Sequence, residues 1–256
     1  MARAGRLLAR TMDEIETRLE PGLTTLEINE IAEETIRKGG GVPTFLGYRG
    51  YQHATCTSPN QYVVHGIPNG YKVELGDLMS VDVGVTLDGF VADAAWTFQV
   101  GAVSAEDERL TRICQHALFA GLQACRLGNR VSDIGHAIES VVRAAGFDVV
   151  RSLVGHGIGR QMHEEPQIPN YGPAGRGALL KPGMTFAVEP MITAGRGDVV
   201  VGHDGWSIFT EDNSRSAHFE HTVAVTEDEP VILTAGDAPV PLRELSQHPF
   251  RSKVLA

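Results

Sequence analysis

Four acidic residues stand inside apolar, strand-like segments of this 256-residue chain. They are Asp82 in MSVDVGV (79–85), Asp93 in FVADAAWTFQV (90–100), Glu189 in MTFAVEPMI (184–192) and Glu220 in AHFEHTVAVT (217–226). An unpaired carboxylate is costly to bury, and four of them in one core would repel one another. One such acid alone is more often a turn, edge or ion-pair residue. Four together require a fold that brings cations to them.

The first two acids lie on the two arms of a predicted β-hairpin. The arms flank a turn at Leu87-Asp88-Gly89, so Asp82 and Asp93 can converge on one face across paired strands. Glu189 and Glu220 can do the same in the second half of the chain. The spacing therefore predicts two pairs of acids, one pair from each half.

A glycine-rich stretch, VGHGIGRQMH at 154–163, supplies a further candidate ligand, His156. Glycines at 155, 157 and 159 predict a loop rather than a strand, because glycine costs backbone entropy in regular structure. Such a loop suits a backbone that passes close to a metal site or a substrate. Four carboxylates and one imidazole exceed one tetrahedral zinc site and favour two divalent ions with bridging carboxylates.

The two halves of the chain also align with each other. A shift of 106 residues superposes Gly22 on Gly128, Ile28 on Ile134, Glu33 on Glu139, Arg37 on Arg143 and Gly40 on Gly146. A shift of 107 superposes Gly76 on Gly183, Val81 on Val188 and Asp82 on Glu189. This pattern predicts two copies of a helix-plus-strands unit around a pseudo-twofold axis, an α+β architecture with a curved, mainly antiparallel sheet covered by helices.

Hydrophobic periodicity and caps place the elements. Helices are predicted at 3–20, from a Thr24 cap to 38, at 104–127 and at 132–145, and strands at 61–64, 79–85, 90–100, 147–154, 184–192, 199–203 and 217–226. Residues 42–60 are predicted to be an aromatic-bearing loop. One domain over 1–256 is expected, with halves at 1–103 and 104–233 and an irregular tail at 234–256.

Charge and cysteine usage exclude several classes of protein. The net charge is −10 without a basic cluster, which argues against nucleic-acid binding. No apolar run approaches the length of a membrane span, and MARAGRLLAR at the N-terminus has no signal-peptide core. Three cysteines give an odd count without a Cys-x-x-Cys pair, which favours a reducing cytoplasm. A monomer is expected.

Nine strings together resemble the type I methionine aminopeptidases, metallopeptidases of the pita-bread fold. They are LGYRGY, VVHGIP, SVDVG, GFVADAAWTF, GHGIG, HEEPQIPNY, LKPGMTFAVEPM, DGW and FEHTVAVT, in family order and over nearly the whole chain. The resemblance implies a single catalytic domain that removes the N-terminal methionine from nascent polypeptides near the ribosome. The second residue must be small and the amine free, and the attacking water is activated by two metal ions (Co, Mn, Fe or Zn).

The resemblance also implies roles for individual residues. The metal ligands are Asp82, Asp93, His156, Glu189 and Glu220, with Asp93 and Glu220 bridging. The catalytic residues are His65, His163 and Glu189. The substrate pocket comprises Tyr48, Tyr51, Cys56, His65, Met162, His163 and Trp206. Backbone oxygens of Asn60, Tyr62 and Ser216 match a site for Na⁺ or K⁺.

Three positions depart from the family pattern, and two other functions stay open. Pro59 and Gln61 replace residues that are more often aliphatic and acidic, and Met162 stands where phenylalanine is common. One alternative is a proline-directed aminopeptidase or dipeptidase of the same fold, although such enzymes usually carry a further N-terminal domain. The other is a non-catalytic binding protein, which would be expected to lose one or more of the five ligands.

Overall fold

The computed structural model describes residues 1–245. The helices are α1 (Ala2–Arg18), α2 (Thr25–Lys38), α3 (Ala105–Ala124), α4 (Val131–Ala144) and α5 (Leu242–Leu245), and a 3₁₀ turn spans Tyr48–Gly50. The strands are β1 (Val42–Pro43), β2 (Thr55–Pro59), β3 (Tyr62–Val64), β4 (Leu78–Leu87), β5 (Phe90–Gln99), β6 (Asp148–Val149), β7 (Gly155–Gly157), β8 (Glu164–Ile168), β9 (Thr185–Val188), β10 (Met191–Thr193), β11 (Val199–Val201), β12 (Ile208–Thr210), β13 (Ser216–His218), β14 (His221–Ala224), β15 (Val231–Ile232) and β16 (Val240–Pro241). All pairings between these strands are antiparallel.

The four long helices form two pairs, one in each half of the chain. Helices α1 and α2 pack on β4 and β5 in one hydrophobic core, and α3 and α4 pack on the second-half strands in another. A capping box starts α2, because the Thr24 hydroxyl accepts from the N–H of Glu27 and the Glu27 carboxylate accepts from the N–H of Thr24. The predicted α+β architecture with helices over a mainly antiparallel sheet is confirmed.

The predicted hairpin is β4–β5, paired along both ten-residue strands. Asp82 lies opposite Ala95 and Asp93 opposite Gly84, so the two acids are diagonal neighbours on one face of the sheet. In the second half, β14 pairs with β9, and β9 pairs with β7. These strands bring the remaining candidate ligands to the same region.

Two threonines join the halves where β5 approaches β13 and β14. The Thr97 hydroxyl donates to the His218 carbonyl and accepts from the His218 N–H, both at 2.9 Å. The Thr222 hydroxyl makes the reciprocal pair with the backbone of Asp93, at 2.8 and 2.9 Å. Between them the N–H of Glu220 donates to the carbonyl of Ala95 at 2.8 Å. We call these contacts the seam.

Two of the predicted strands are each broken in two. Segment 184–192 forms β9 and β10, separated at Glu189-Pro190, and segment 217–226 forms β13 and β14, separated at Phe219-Glu220. Pro190 has no N–H to donate to a ladder, so the first strand cannot continue through it. The sequence predicted that both second-half acids lie inside strands. They lie at strand breaks instead.

The glycine-rich stretch was wrongly predicted to be a loop, because Gly155–Gly157 forms strand β7. A Cβ on Gly155 would lie 2.4 Å from the Ala187 carbonyl oxygen, and one on Gly157 would lie 2.3 Å from that of Glu165. The prediction of a close backbone approach is confirmed, but the neighbour is the protein's own sheet. Glycine is required here because a side chain would prevent the strands from pairing.

Other differences are local. Segment 42–60 contains β1 and β2 and not only loop, and the polar segment Glu164–Ile168 is a strand that the sequence did not reveal. The predicted strand 147–154 is reduced to Asp148–Val149. Residues 240–245 of the expected irregular tail form β16 and α5, and the prediction for 246–256 lies outside the described residues. None of the described helices has the length and apolar character needed to cross a membrane.

Candidate metal centre

The five predicted ligands come together in one cavity. Asp82 and Asp93 project from the β4–β5 hairpin, His156 from β7, and Glu189 and Glu220 from the two strand breaks. The His156 Nε2 atom lies 3.5 Å from Glu189 Oε1 and 3.8 Å from Asp93 Oδ2. One ligand atom each from Asp93, His156 and Glu220 lies within 4.8 Å of the others, a compact triad to which both halves contribute.

The donor set fits divalent cations. Asp82 Oδ1, Asp93 Oδ1 and Glu220 Oε1 are buried, and none has a hydrogen-bond partner among the described residues. Burial raises the pKa of Asp82 to about 7, and burial together with neighbouring carboxylates raises the pKa values of Asp93, Glu189 and Glu220 well above their usual range. Buried, mutually repelling acids of this kind need cations to be stable as carboxylates.

Contacts distant in sequence hold the break at Glu189. The Asn170 side-chain amide donates to the Glu189 carbonyl at 3.0 Å, and the Cys114 thiol donates to the Pro190 carbonyl at 3.3 Å. Glu189 is also the more accessible of the second-half acids, with 14% of its side chain exposed against 2% for Glu220. Its carboxylate can therefore meet a water molecule or substrate that enters the site.

The orientation of His156 suits a metal ligand. Its Nδ1–H donates to the Gly157 carbonyl at 2.9 Å, which leaves the Nε2 lone pair facing Asp93 and Glu189. The pKa of His156 is lowered to about 4, mainly by burial, so the ring is neutral near pH 7. Neutral imidazole is the form that binds metal ions.

The two other predicted histidines line the same cavity. The ring of His163 is 4.2 Å from that of His156, and its Nδ1 is hydrogen-bonded to the Tyr48 hydroxyl at 2.8 Å. Burial lowers the pKa of His163, with a smaller contribution from Arg49, and burial lowers the pKa of His65 to about 4. His65 has a φ of 59°, a backbone conformation that non-glycine residues rarely adopt outside special sites.

The cavity has a volume of about 210 Å³. It is lined by the five candidate ligands and by all seven predicted pocket residues, Tyr48, Tyr51, Cys56, His65, Met162, His163 and Trp206. Tyr51 donates its hydroxyl to the Thr55 carbonyl at 2.8 Å, and its ring lies 5.0 Å from Trp206. Burial raises the pKa of the Cys56 thiol, so this side chain stays protonated and apolar.

The predicted monovalent-cation residues also meet. The carbonyl oxygens of Asn60 and Tyr62 both accept from the Ser216 hydroxyl, at 3.1 and 2.9 Å. Asn60 has a φ of 60°, and its carbonyl also accepts from the Ser216 N–H at 2.9 Å. The Asn60 and Tyr62 carbonyls thus meet at Ser216, and the cation site, with the Ser216 carbonyl as its third oxygen, stays a prediction.

Several site residues were not predicted from the sequence. Further residues that line the cavity are Phe45, Arg49, Val64, Leu153, Val154 and Met191. His218 was also missed, although its Nε2 lies 4.0 Å from an oxygen of Glu189 and 4.0 Å from one of Glu220. Burial lowers the pKa of His218 to about 3. The sequence offered no usable signal for it, because the strand ends at His218 and the spacing to Glu220 does not fix a shared face.

Comparison with known proteins identifies the family. The model of metallopeptidase family M24 matches residues 1–227. The chain belongs to this family. Methionine aminopeptidase 1 of Mycobacterium tuberculosis is 49% identical over 243 residues, which are 92% of this chain and 91% of that protein. The crystal structure of methionine aminopeptidase from Thermotoga maritima superposes with a TM-score of 0.90 at 43% identity, covering 91% of this chain and 94% of that one.

These findings confirm the resemblance stated from the sequence, the pita-bread fold and the prediction of a hydrolase of the metalloexopeptidase kind. A prolidase from Pyrococcus furiosus has a TM-score of 0.71 at 18% identity, and the match covers 91% of this chain and 62% of that one. At that identity the likeness shows a shared fold alone. The family implies divalent metal binding, and the acid cluster provides residues that fit it.

Proposed function

We propose that this chain removes the N-terminal methionine from nascent polypeptides whose second residue is small and whose amine is free. The observation that carries the proposal is one cavity in which the five ligand candidates meet a sulfur- and ring-lined pocket and two histidines. Such a substrate arises where polypeptides are synthesised, which places the enzyme in the cytoplasm near the ribosome. The activity would serve protein maturation by a single catalytic domain that acts as a monomer.

Two divalent ions would be held by the five ligands, with Asp93 and Glu220 shared between them. Both shared acids belong to the compact triad and carry an unpartnered oxygen, which supports this assignment. When bound, the ions supply Lewis acidity that polarises the substrate carbonyl and lowers the pKa of water. The two ions would be Co, Mn, Fe or Zn, and Na⁺ or K⁺ at Asn60, Tyr62 and Ser216 would brace the adjoining strands.

The side chains around the ions would move protons and hold the substrate. Glu189 accepts a proton from the attacking water and passes it to the leaving amine, because its carboxylate is the accessible one of the second-half pair. A Tyr48 hydroxyl that donates to His163 Nδ1 leaves the hydrogen of that ring on Nε2. His163 then donates to the oxyanion, and His65 contacts the scissile amide.

The pocket would select methionine at the first position and a small residue at the second. Tyr51, Cys56, Met162 and Trp206 come from separate segments and enclose an apolar space with one thiol and one thioether. A flexible thioether side chain suits such a space. The second residue of the substrate must pass between His65 and His163, so a bulky side chain at that position would collide with them. Such a collision rejects a substrate more strongly than an apolar pocket rejects one extra methylene group.

A panel of Met-X peptides tests this function. Peptides in which X is glycine, alanine or serine should be cleaved, and those in which X is lysine, leucine or phenylalanine should be rejected. Formyl or acetyl caps on Met-Ala should abolish cleavage. Comparable kcat/KM for Met-Ala and Met-Lys, or cleavage of capped peptides, would contradict the proposal. Preferential cleavage of an Ala-Pro peptide would indicate a proline-directed enzyme, and no cleavage by metal-loaded protein would indicate a binding protein.

A further inference from the structure

His218 is a buried histidine to which the proposed mechanism assigns no task. It ends strand β13, two residues before Glu220, and only 1% of the residue is exposed. Its backbone is fixed on both sides by the Thr97 hydroxyl, which accepts from its N–H and donates to its carbonyl. The backbone that carries the ring is therefore held in place by the seam between the two halves.

The Nε2 atom of this ring is aimed at two carboxylates. It lies 4.0 Å from Glu189 Oε2 and 4.0 Å from Glu220 Oε2. It is buried and lacks a hydrogen-bond partner within residues 1–245. Leaving a buried polar atom unpaired is costly, so this nitrogen is expected to have a partner in the working enzyme. The two carboxylate oxygens at 4.0 Å are acceptors that it can reach by a small movement.

The position of Glu189 makes the contact meaningful. Its Oε1 lies 3.5 Å from His156 Nε2 and its Oε2 faces His218, so one imidazole stands at each end of the carboxylate. His156 presents a lone pair, because its Nδ1–H is engaged with the Gly157 carbonyl. His218 is not one of the five proposed ligands, and in the tautomer with its ring hydrogen on Nε2 it can donate to a carboxylate instead.

We propose that His218 is a positioning residue whose Nε2–H donates to the Oε2 atoms of Glu189 and Glu220 when these acids hold the metal ions. The inference rests on the proposed metal centre. A donor behind a ligating carboxylate fixes its orientation and keeps it ionised, and removing such a donor typically weakens metal affinity. The residue acts through the two acids and does not itself bind metal or substrate.

The test compares two substitutions of nearly equal length, His218→Gln, which keeps an N–H donor, and His218→Met, which does not. Metal-stripped protein is titrated with Co²⁺ while affinity and the visible absorption spectrum are recorded. His218→Met should bind roughly 10–100-fold more weakly than the wild type, and His218→Gln should recover most of the loss. At saturation the absorption bands should keep their positions, because the ligand set is unchanged.

His221→Gln is the matched control. His221 is equally buried, but its Nδ1 is hydrogen-bonded to the Thr234 hydroxyl and its ring lies against Trp96. This variant should keep wild-type Co²⁺ affinity whatever it costs in thermal stability. If His218→Met does not fold, His218→Leu takes its place in the comparison.

Wild-type affinity in His218→Met overturns the proposal. Equal weakening in the Gln and Met variants also overturns it, because a donor would then be irrelevant. Shifted absorption bands at saturation would make His218 a ligand, which contradicts the assignment as well. Wild-type protein that binds no Co²⁺ would instead overturn the proposed function, so the two failures are distinguishable.

Discussion

The two halves of the molecule bring a pair of acids to the same place by different local means. In the first half, Asp82 and Asp93 stand in a hairpin whose two ten-residue strands are paired throughout. In the second half, Glu189 and Glu220 stand where strands break. The second half also adds an imidazole, His156, which has no counterpart among the candidate ligands of the first half.

The difference shows what each pair depends on. Pairing within the hairpin fixes the face that both first-half acids occupy, because register decides which face a side chain occupies; the contact of Thr222 with the Asp93 backbone then joins that strand to the second half. The second-half acids depend on groups distant in sequence, including the Asn170 amide and the Cys114 thiol that hold the Glu189-Pro190 break. We therefore expect the first half to be robust to substitutions around its acids and the second half to be sensitive.

Despite this difference, the shared acid of each half, Asp93 or Glu220, should be equally essential for peptidase activity. Asp93→Asn and Glu220→Gln each remove a carboxylate shared by the proposed ions, and each should lower kcat/KM on a Met-Ala peptide by at least roughly 10³-fold, since several kcal/mol of charge stabilisation is at stake. Asp198→Asn, at an exposed acid away from the cavity, is the control and should be unaffected. If kcat/KM of the Glu220→Gln enzyme stays within tenfold of the wild-type value, the two shared acids are not equally essential.

Two glycines test whether the second half is the more sensitive one. A Cβ on Gly155 would meet the Ala187 carbonyl oxygen at 2.4 Å, whereas one on Gly84 would meet the Phe45 ring at 2.6 Å. A ring can shift and a paired strand cannot, so Gly155→Ala should lower the free energy of unfolding by about 3 kcal/mol and Gly84→Ala by about 1 kcal/mol. Urea denaturation with unchanged m-values measures both, and equal losses would contradict the argument.

The seam threonines should have similar effects, because each satisfies one N–H and one carbonyl of the opposite half; Thr97 should cost slightly more, because it also bonds the buried Ser80 hydroxyl at 2.8 Å. Thr97→Val and Thr222→Val keep the shape of the side chain and leave two backbone groups unpaired, so each should cost about 2 kcal/mol of stability. Thr57→Val is the control, since the Thr57 hydroxyl is buried but has no partner among the described residues. A seam variant as stable as the control would show that the seam does not hold the halves together.

The metal-free protein should lose stability as the pH rises from 6.5 to 8. Burial raises the pKa of Asp82 to about 7, so the folded state holds that proton more tightly than the unfolded state, and the benefit is lost as the pH passes 7. The lowered pKa values of the buried histidines, about 3 to 4 for His65, His156, His218 and His221, have the opposite sign, but an unfolded-state imidazole titrates near 6.5, so their gain tapers off just above that pH. The raised pKa values of Asp93, Glu189 and Glu220 add to the loss through the rest of the range.

The thermal midpoint of chelated protein should therefore fall by about 2–4 °C for each kcal/mol lost over this range. Protein loaded with Mn²⁺ should show no such fall, because the ions keep the acids ionised at every pH in the range. Asp82→Asn should reduce the fall in chelated protein. A midpoint that rises with pH in chelated wild-type protein would show that the acids are already paired without metal.

The first half could be predicted largely from sequence because its signals are local. The turn at 87–89 and the alternation around Asp82 and Asp93 fix the hairpin and the face that both acids share. The capping box at Thr24 likewise marks the start of α2. The pocket residues were assigned through family resemblance, and the structure brings them to one cavity although no local pattern connects them.

The second half was harder because its structure depends on distant partners. MTFAVEPMI is apolar on both sides of Glu189, and only Pro190 signalled the break. Gly155 indicated that another group comes close to the backbone there. That group is the strand that carries Ala187, which is distant in sequence, so the sequence around Gly155 could not distinguish it from a ligand. His218 could not be recognised, because its direction follows from the break at 219–220 and from Thr97 across the seam.

In the proposed enzyme, both halves together build one centre for two divalent ions. Metal-stripped protein, reconstituted with Mn²⁺ or Co²⁺ and freed of excess metal, should retain two ions per chain by elemental analysis. Asp82→Asn, which removes an unshared first-half ligand, should retain one ion. Wild-type protein that retains a single ion, or an Asp82→Asn variant that still retains two, would contradict the claim.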